Sequence, residues 1–225
     1  MRPALTVPPA ARYVAPFAVY IAFLTLHTFL PLPPLIEEPL RLVVLALVIA
    51  VVSWPVIDLR ATNVLGSSAL GFAIFLLWIL PDTLAPGYRQ SVIFQNAFTG
   101  RITSSLPVTA LVDPAVLALR SLRSFVIVPI VEELFWRGWM MRRLIDADFE
   151  KVPLGSYTRE AFWIVAVLFA AEHGPYWDVG LAAGILFNYW MVRTRSLADL
   201  ILCHAVANLG LAAYVIGTGK WEYWL

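Results

Sequence analysis

The sequence predicts an all-α protein: a helical bundle that spans a membrane about seven times as a single domain, residues 1–225. Hydrophobic residues make up 60% of the chain and charged residues 14%, whereas a soluble domain has roughly 45–50% apolar and about 25% charged residues. The mean hydropathy is +0.78. Seven apolar runs approach the about 20 residues that a helix needs to cross a bilayer. These observations exclude a water-soluble protein.

Three helices are predicted in the first half of the chain, at about residues 14–30, 40–57 and 64–80. The first ends at the proline cluster Pro31, Pro33 and Pro34, and the third ends at Pro81, because proline lacks a backbone N–H and disfavours a helix before it. The first run also lacks the small-residue cleavage site of a signal peptide, so we interpret it as a retained anchor. Residues 1–110 carry no recognised motif, and 81–113 is the longest polar loop.

Four further helices are predicted in the second half, which we expect to form the catalytic part, residues 111–216. The fourth helix begins near Pro114 and is expected to continue past Arg137 towards Arg143. A charged interfacial segment follows, up to about Arg159. The last three helices are expected at about residues 160–173, 177–192 and 197–216.

Basic residues predict the orientation, because loops on the cytoplasmic side carry an excess of Lys and Arg. With the N-terminus in the cytoplasm, nine basic residues lie inside: Arg2, Arg12, Arg60, Arg142, Arg143, Lys151, Arg159, Arg193 and Arg195. Four lie outside, namely Arg41, Arg89, Arg101 and Lys220, and the remaining three are in the fourth helix, namely Arg120, Arg123 and Arg137. We therefore predict a cytoplasmic N-terminus, in a membrane that we expect to be a bacterial inner membrane. The terminal Trp221, Tyr223 and Trp224 then form an outer aromatic belt.

Charge and cysteine content exclude several other classes. The formal charge is +1 with no basic run, so nucleic acid is not expected as a partner. Membrane lipid is the expected partner. Cys203 is the only cysteine, which rules out an intramolecular disulfide and a multi-cysteine zinc site.

Ionisable side chains inside the fourth helix give the first indication of function, because such groups cost several kcal/mol in a membrane unless they are paired or functional. Glu133 and Arg137 are four residues apart on one helical face and can form an ion pair. Glu132 points about 100° away and has no evident partner. The alternative is that all three form a buried ion cluster without a catalytic role.

Two later helices carry histidines at helical spacing. Phe169 precedes His173 by one turn, and His204 precedes Asn208 by one turn, each pair on a single face. Most helical histidines are packing residues, but here two of only three lie at such positions. The third, His27, has no acidic neighbour in its own helix, and we interpret it as structural or interfacial.

These side chains together match the requirements of amide hydrolysis. A carboxylate beside an imidazole can take a proton from water, so Glu132 and His173 are candidates for the general base. His204 and Asn208 can both donate hydrogen bonds to one oxygen, as an oxyanion hole requires. A serine nucleophile is disfavoured because G-x-S-x-G is absent, and a Cys203–His204 dyad because adjacent helical residues diverge.

In these residues the chain resembles the CAAX prenyl endopeptidase and bacteriocin-processing (CPBP or Abi) family of intramembrane proteases. Its signatures E-E-x-x-x-R, F-x-x-x-H and H-x-x-x-N occur here in order, between residues 132 and 208. The resemblance implies a glutamate-type endopeptidase acting on a membrane-associated or lipidated protein. In it Glu132 and His173 activate water, His204 and Asn208 bind the oxyanion, and Glu133 with Arg137 orders the site. The Trp-Arg-Gly-Trp and Ala-Glu-His-Gly segments are similar to a subgroup that accompanies exosortase and PEP-CTERM systems.

Two alternatives stay open at this point. The glutamates and histidines are compatible with a divalent metal, although no H-E-x-x-H is present and no cofactor is required. The chain could also be a non-enzymatic immunity or scaffold protein that keeps these residues as a polar packing network. The protease interpretation requires Glu132 and His173 to lie within one helical turn of each other in depth.

Overall fold

The computed structural model describes residues 7–30 and 32–224, and these residues contain helices and loops but no β-strand. Two residues used in the sequence predictions, Arg2 and Pro31, lie outside them. The seven long helices are α1 (Ala11–Phe29), α2 (Pro34–Val48), α3 (Val64–Leu84), α4 (Pro114–Arg143), α5 (Arg159–Ala171), α6 (Trp177–Thr194) and α7 (Leu197–Thr218). The all-α fold class and the order of the seven helices are confirmed.

Two predicted helix boundaries are wrong. Helix α3 does not end at Pro81 but continues to Leu84, because a proline in the last turn removes only one backbone hydrogen bond. Helix α2 begins at Pro34 rather than near residue 40, because proline suits the first turn of a helix, and so Glu37 and Glu38 lie within the helix. A π-helical turn and a 3₁₀ turn carry the chain on to Val56. The predicted continuation of α4 past Arg137 to Arg143 is confirmed.

Three of the described helices, α3, α4 and α7, are long and apolar enough to cross a bilayer by themselves. The chain is thus an integral membrane protein. Helix α5 has only 13 residues, about 20 Å at 1.5 Å per residue, whereas the hydrocarbon core is about 30 Å thick. It therefore ends part-way through the depth of the bundle, and the turn that follows it places the exposed Glu172 and the half-buried His173 at that depth.

Side-chain caps set the beginning of the helices that carry the predicted site. Asp113 accepts hydrogen bonds from the amides of Ala115 and Val116 at the start of α4, where Pro114 occupies the first helical position. Thr158 caps α5 and Ser196 caps α7 in the same way. Each cap satisfies backbone N–H groups that have no partner within the helix.

Helix α4 crosses the bundle without a break, although Pro129 lies in its middle. The α-helical hydrogen bonding gives way to π-helical turns over Arg123–Ile127 and Leu134–Met140. The first turn absorbs the missing N–H of Pro129. The two π-helical turns flank the Glu132–Glu133 pair, a position typical of π-bulges at functional sites.

Helices α3 and α7 pack at very short range around Gly71. A Cβ atom on Gly71 would lie 2.2 Å from the carbonyl oxygen of Cys203 and 2.9 Å from Cβ of Val206. The same pair of helices is joined by Asp199, which accepts hydrogen bonds from the amides of Thr62 and Asn63. Since Cys203 immediately precedes His204, this contact fixes the depth and rotation of α7 at the predicted site.

Replacement of Gly71 by alanine should therefore destabilise the protein. Because a methyl group cannot fit against the α7 backbone, the helices must separate, and we expect the free energy of unfolding to fall by about 1–3 kcal/mol. Thermal unfolding in detergent measures the change. Gly217→Ala is the matched control, because a Cβ there meets nothing within 4 Å; equal unfolding temperatures for the two variants would contradict the packing argument.

Candidate active site

A cavity of about 880 Å³ lies among α1, α2, α3, α4 and α7, and the predicted site residues line its inner end. Glu132, His173, His204 and Asn208 all face this cavity. Its volume falls within the about 300–1,000 Å³ that is usual for small-molecule pockets. The four residues that the sequence predicts as catalytic are thus brought together in one place.

Arg137 is the centre of the polar network behind this cavity. Its side chain and that of Glu133 are fully buried, and they form the predicted ion pair at 3.1 Å. The arginine Nε donates to Oδ1 of Asn188 on α6 at 2.7 Å, and a terminal nitrogen donates to the carbonyl of Gly184 at 3.3 Å. Asn188 in turn donates to the carbonyl of Phe162 on α5. One arginine therefore ties α4 to α6 and, through Asn188, to α5.

Two aromatic rings cover this network. Phe169, the first residue of the F-x-x-x-H motif, has its ring centroid 4.5 Å from the Arg137 guanidinium carbon and 4.6 Å from the His173 ring. Phe187 lies 5.4 Å from the same guanidinium carbon and stacks on the His204 ring at 4.7 Å. Both rings are almost fully buried. They hold the two imidazoles and exclude water from the ion pair.

Glu133 also orients His204. The histidine Nδ1 lies 2.7 Å from a Glu133 carboxylate oxygen, and because a carboxylate only accepts, Nδ1 carries the hydrogen. The opposite ring nitrogen, Nε2, lies 4.0 Å from Oε2 of Glu132. That oxygen of Glu132 is buried and has no hydrogen-bond partner among the described residues. Glu133 thus satisfies the network, whereas Glu132 keeps an unpaired oxygen.

His173 is held by its own backbone. Its Nδ1 lies 2.6 Å from the carbonyl oxygen of Phe169, and a carbonyl can only accept, so Nδ1 is the protonated nitrogen. Nε2 is then left with a lone pair for a proton or a metal. The ring of Trp78 contacts the imidazole edge-on at 5.1 Å. The F-x-x-x-H spacing therefore fixes the tautomer as well as the position of the histidine.

Glu172 is a site residue that the sequence prediction missed. One of its oxygens accepts a hydrogen bond of 3.0 Å from the indole N–H of Trp136 on α4. Glu132, Glu172 and His173 each offer a ligand atom, and these atoms all lie within 4.8 Å of one another. The side chains of Glu132 and His173 therefore lie within one helical turn of each other in depth, as the protease interpretation requires. Glu132, Glu172 and His173 could together hold a metal ion.

Asn208 connects α7 to the wall of the cavity. Its side-chain nitrogen donates a hydrogen bond of 2.9 Å to the carbonyl oxygen of Ser124 on α4. An amide nitrogen has two hydrogens, so one remains for the cavity. This contact spans the first π-helical turn of α4, where the backbone carbonyls are displaced from regular helical geometry.

Arg89 pins the turn that carries His173. It is 2% exposed, donates to the carbonyl of Pro175 at 2.8 Å, and pairs with Asp82 on α3 and Asp178 on α6. Burial by itself would lower the pKa of Arg89, but its hydrogen bonds to Asp178 and Asp82 raise that pKa above the ordinary value. The 85–113 loop thus closes over the end of α5 and holds the site from outside.

Gly174, directly after His173, adds a backbone constraint. Its φ is +53°, and a Cβ atom there would lie 2.8 Å from the carbonyl of Thr99. Glycine is required both by this left-handed conformation and by the close approach of the loop.

A second ion cluster lies along the cavity wall and involves the first two helices, where the sequence shows no recognised motif. Glu38 on α2 pairs with Arg120 at 3.2 Å and Arg123 at 2.9 Å on α4. Glu37 pairs with Arg41 in the same helix and with His27 of α1 at 2.9 Å. His27 thus has an acidic partner, which comes from the next helix and not from its own. Glu37 and Arg41, four residues apart, were the signal in the sequence.

The match with a known family falls on the same helices. Residues 114–210, from the start of α4 to most of α7, match the family model described as Type II CAAX prenyl endopeptidase Rce1-like. All seven residues of the three sequence motifs lie within this segment. No curated protein and no solved structure matches the chain.

Removal of Arg137 should strongly destabilise the bundle. Arg137→Met leaves Glu133 buried without its cation, and breaking a buried pair in this way typically costs 3–5 kcal/mol, so we expect a loss of about that size. Thermal unfolding in detergent, compared with Arg143→Met at the exposed end of the same helix, tests the role of Arg137. An unfolding temperature equal to that of the control would show that the network does not stabilise the fold.

Proposed function

Because residues 114–210 match the family model described as Type II CAAX prenyl endopeptidase Rce1-like, we propose that the chain is an intramembrane endopeptidase of the glutamate type. It hydrolyses a peptide bond in a membrane-associated or lipid-modified protein. Glu132 carries the proposal: it is buried at the inner end of a large cavity, one of its oxygens has no partner among the described residues, and it faces His204. A charged group in this position costs several kcal/mol and is retained for chemistry.

The first step of the proposed reaction is the activation of water. A water molecule between Glu132 and Nε2 of His173 transfers one proton to the Glu132 carboxylate and donates a hydrogen bond to Nε2, while its oxygen attacks the carbonyl carbon of the substrate. The His173 tautomer supports this role, because the carbonyl of Phe169 fixes hydrogen on Nδ1 and leaves Nε2 as the acceptor. The C–O bond forms as the carbonyl oxygen takes up negative charge.

His204 and Asn208 stabilise that oxygen in the proposal. Each presents a nitrogen to the cavity, and Glu133 and Ser124 fix their side chains from behind. Donors held in place before the reaction stabilise a developing charge more strongly than mobile water does. With Nδ1 of His204 donating to Glu133, Nε2 is the nitrogen left to face the substrate oxygen, and it donates when it carries a hydrogen.

Glu172 is proposed as the second carboxylate of the reaction. Its ligand oxygen lies within 4.8 Å of that of Glu132, a distance that one water molecule can bridge for proton transfer. The tetrahedral intermediate collapses when the C–N bond breaks and a proton passes to the leaving nitrogen. Glu172 stands where it can hold or return that proton, since Trp136 fixes one of its oxygens.

A metal-dependent hydrolase is the second candidate, favoured by one observation. Glu132, Glu172 and His173 supply two oxygens and one nitrogen at the spacing of a ligand group, and such donors suit a divalent ion such as Zn²⁺. In this version the metal supplies Lewis-acid activation of water.

A scaffold function is less well supported by the geometry. Polar groups that only glue helices together are normally satisfied by partners, as Glu133 is by Arg137 and His204. The unpaired oxygen of Glu132 departs from that pattern. A role beside exosortase and PEP-CTERM sorting systems remains a proposal about the substrate.

Glu132→Gln tests the proposed hydrolysis directly. The amide cannot accept the proton of water, and loss of a general base typically costs 10²–10⁴-fold in rate, so we expect a loss of about that size. Quantitative mass spectrometry of protein termini in host membranes, at matched expression, detects the substrates. Termini found only with the wild type are expected.

Glu160→Gln is the matched control, because Glu160 is an exposed glutamate at the start of α5 and should leave the termini unchanged. Thermal unfolding establishes that both variants fold. Identical termini in the wild type and a folded Glu132→Gln variant would refute the protease and favour a scaffold.

Exhaustive chelation distinguishes the two catalytic versions. Since the proposed base and oxyanion donors are side chains, we expect the purified enzyme to keep its activity after treatment with a strong chelator and to contain no stoichiometric metal. Activity that disappears with the chelator and returns with Zn²⁺ would establish the metal version instead.

A further inference from the structure

The site is closed towards one face of the bundle. We call this the basic face; it comprises the 57–63, 144–158 and 195–196 connections. Beneath the site towards this face, the side chains of Arg137, Met191, Leu200 and Cys203 are fully buried. Asp199, also fully buried, ties the 57–63 connection to the first turn of α7. Solid packing therefore separates Glu132 from this face.

The cavity opens towards the opposite face, which we call the loop face; it comprises residues 85–113 and 219–224. The lining of the cavity rises along α4 from Glu132 through Ser124 to Arg120. It then continues into this face, at Thr99, Arg101, Ser104, Ser105, Leu106, Pro107, Tyr223 and Trp224. The cavity thus extends from the catalytic groups to the loop face, whereas none of its lining residues belongs to the basic face.

The two faces differ sharply in basic residues. Eight described Arg and Lys residues lie at the basic face, namely Arg12, Arg60, Arg142, Arg143, Lys151, Arg159, Arg193 and Arg195. Three lie at the loop face, namely Arg89, Arg101 and Lys220. Arg89 is moreover paired with two aspartates. By the positive-inside rule the basic face is cytoplasmic.

We infer that the cavity takes its substrate from the extracytoplasmic face of the membrane, so that the enzyme cleaves membrane-proximal segments of exported polypeptides and not cytoplasmic tails. The inference rests on the proposed hydrolysis and adds the substrate class to it. Two independent observations carry it: the direction in which the cavity opens and the distribution of charge over the loops.

The depth of the cavity sets a condition on such substrates. Arg120 and Glu132 both line it and are separated by about 18 Å along α4, at 1.5 Å per residue. An extended peptide covers about 3.3 Å per residue, so roughly five to six residues must enter before the scissile bond reaches Glu132. The cleaved bond therefore lies in an unfolded segment at least that far from a folded extracytoplasmic domain.

Thiol labelling in intact bacterial cells that express the full chain tests the inference. The native Cys203 is fully buried and provides an unreactive background. Single cysteines replace Ala97 at the loop face, Ala147 at the basic face and Ser124 within the cavity; Ser124→Cys is nearly isosteric. The probe is a charged methanethiosulfonate reagent that does not cross membranes. Cysteines that have not reacted are then modified with maleimide–polyethylene glycol, which increases the mass of the protein on a gel. The fraction of protein without this mass shift measures labelling by the first reagent.

We expect Ala97→Cys and Ser124→Cys to react in intact cells, and Ala147→Cys to react only after permeabilisation. Reaction of Ala147→Cys in intact cells would overturn the orientation. If Ser124→Cys is not labelled in intact cells, the open path is refuted, whether or not this cysteine reacts after permeabilisation. If the Ser124→Cys variant does not fold, Ser104→Cys, which also lines the cavity, replaces it under the same criteria.

Labelling requires no turnover, so its failure is distinct from a failure of the proposed hydrolysis. If the labelling pattern is reversed but new termini still depend on Glu132, the proposed protease activity is supported and the extracytoplasmic substrate is refuted. If the predicted labelling pattern is found but no such termini appear, the open path to the loop face is supported and the proposed protease activity is refuted.

Discussion

The buried pair of Glu133 and Arg137 is the interaction on which the rest of the site depends. An arginine in the middle of a membrane bundle is tolerable only when its charge is balanced and its N–H groups are satisfied. Glu133 supplies the charge, and Asn188 and Gly184 supply acceptors from α6. Glu133 also binds His204 of α7. Three helices are therefore held in register by groups that never need to contact substrate.

The two adjacent glutamates differ in how their carboxylate oxygens are hydrogen-bonded. Glu133 has both oxygens engaged by Arg137 and one of them also by His204. Glu132, one residue earlier, faces the cavity with an unpaired oxygen. Both glutamates lie in the α-helical segment Val128–Glu133 between the two π-helical turns, so their side chains diverge by about 100° and meet different surroundings.

The sequence predicted the helices and the main site because both depend on local spacing. Apolar runs gave the seven helices, and the i, i+4 relation gave Glu133 with Arg137 and Phe169 with His173. Spacing along one helix does not reveal partners from another, so the contacts of Trp136 with Glu172, Arg137 with Asn188 and Glu38 with Arg123 appeared only in the fold. Asn188 was nonetheless visible as an amide within an apolar run, and Glu172 as an acid beside the histidine.

The short helix α5 has a consequence for the membrane around the protein. With 13 residues it spans about 20 Å, and the hydrocarbon layer of a bilayer is about 30 Å thick. The missing 10 Å or so is taken up by the polar turn at His173 and by the 85–113 loop that packs over it, so lipids beside this hairpin meet a shorter apolar surface than elsewhere. A bilayer adapts to such mismatch by local thinning. The candidate active site thus lies beside a thinner patch of membrane, in which water needs to travel only part of the usual distance.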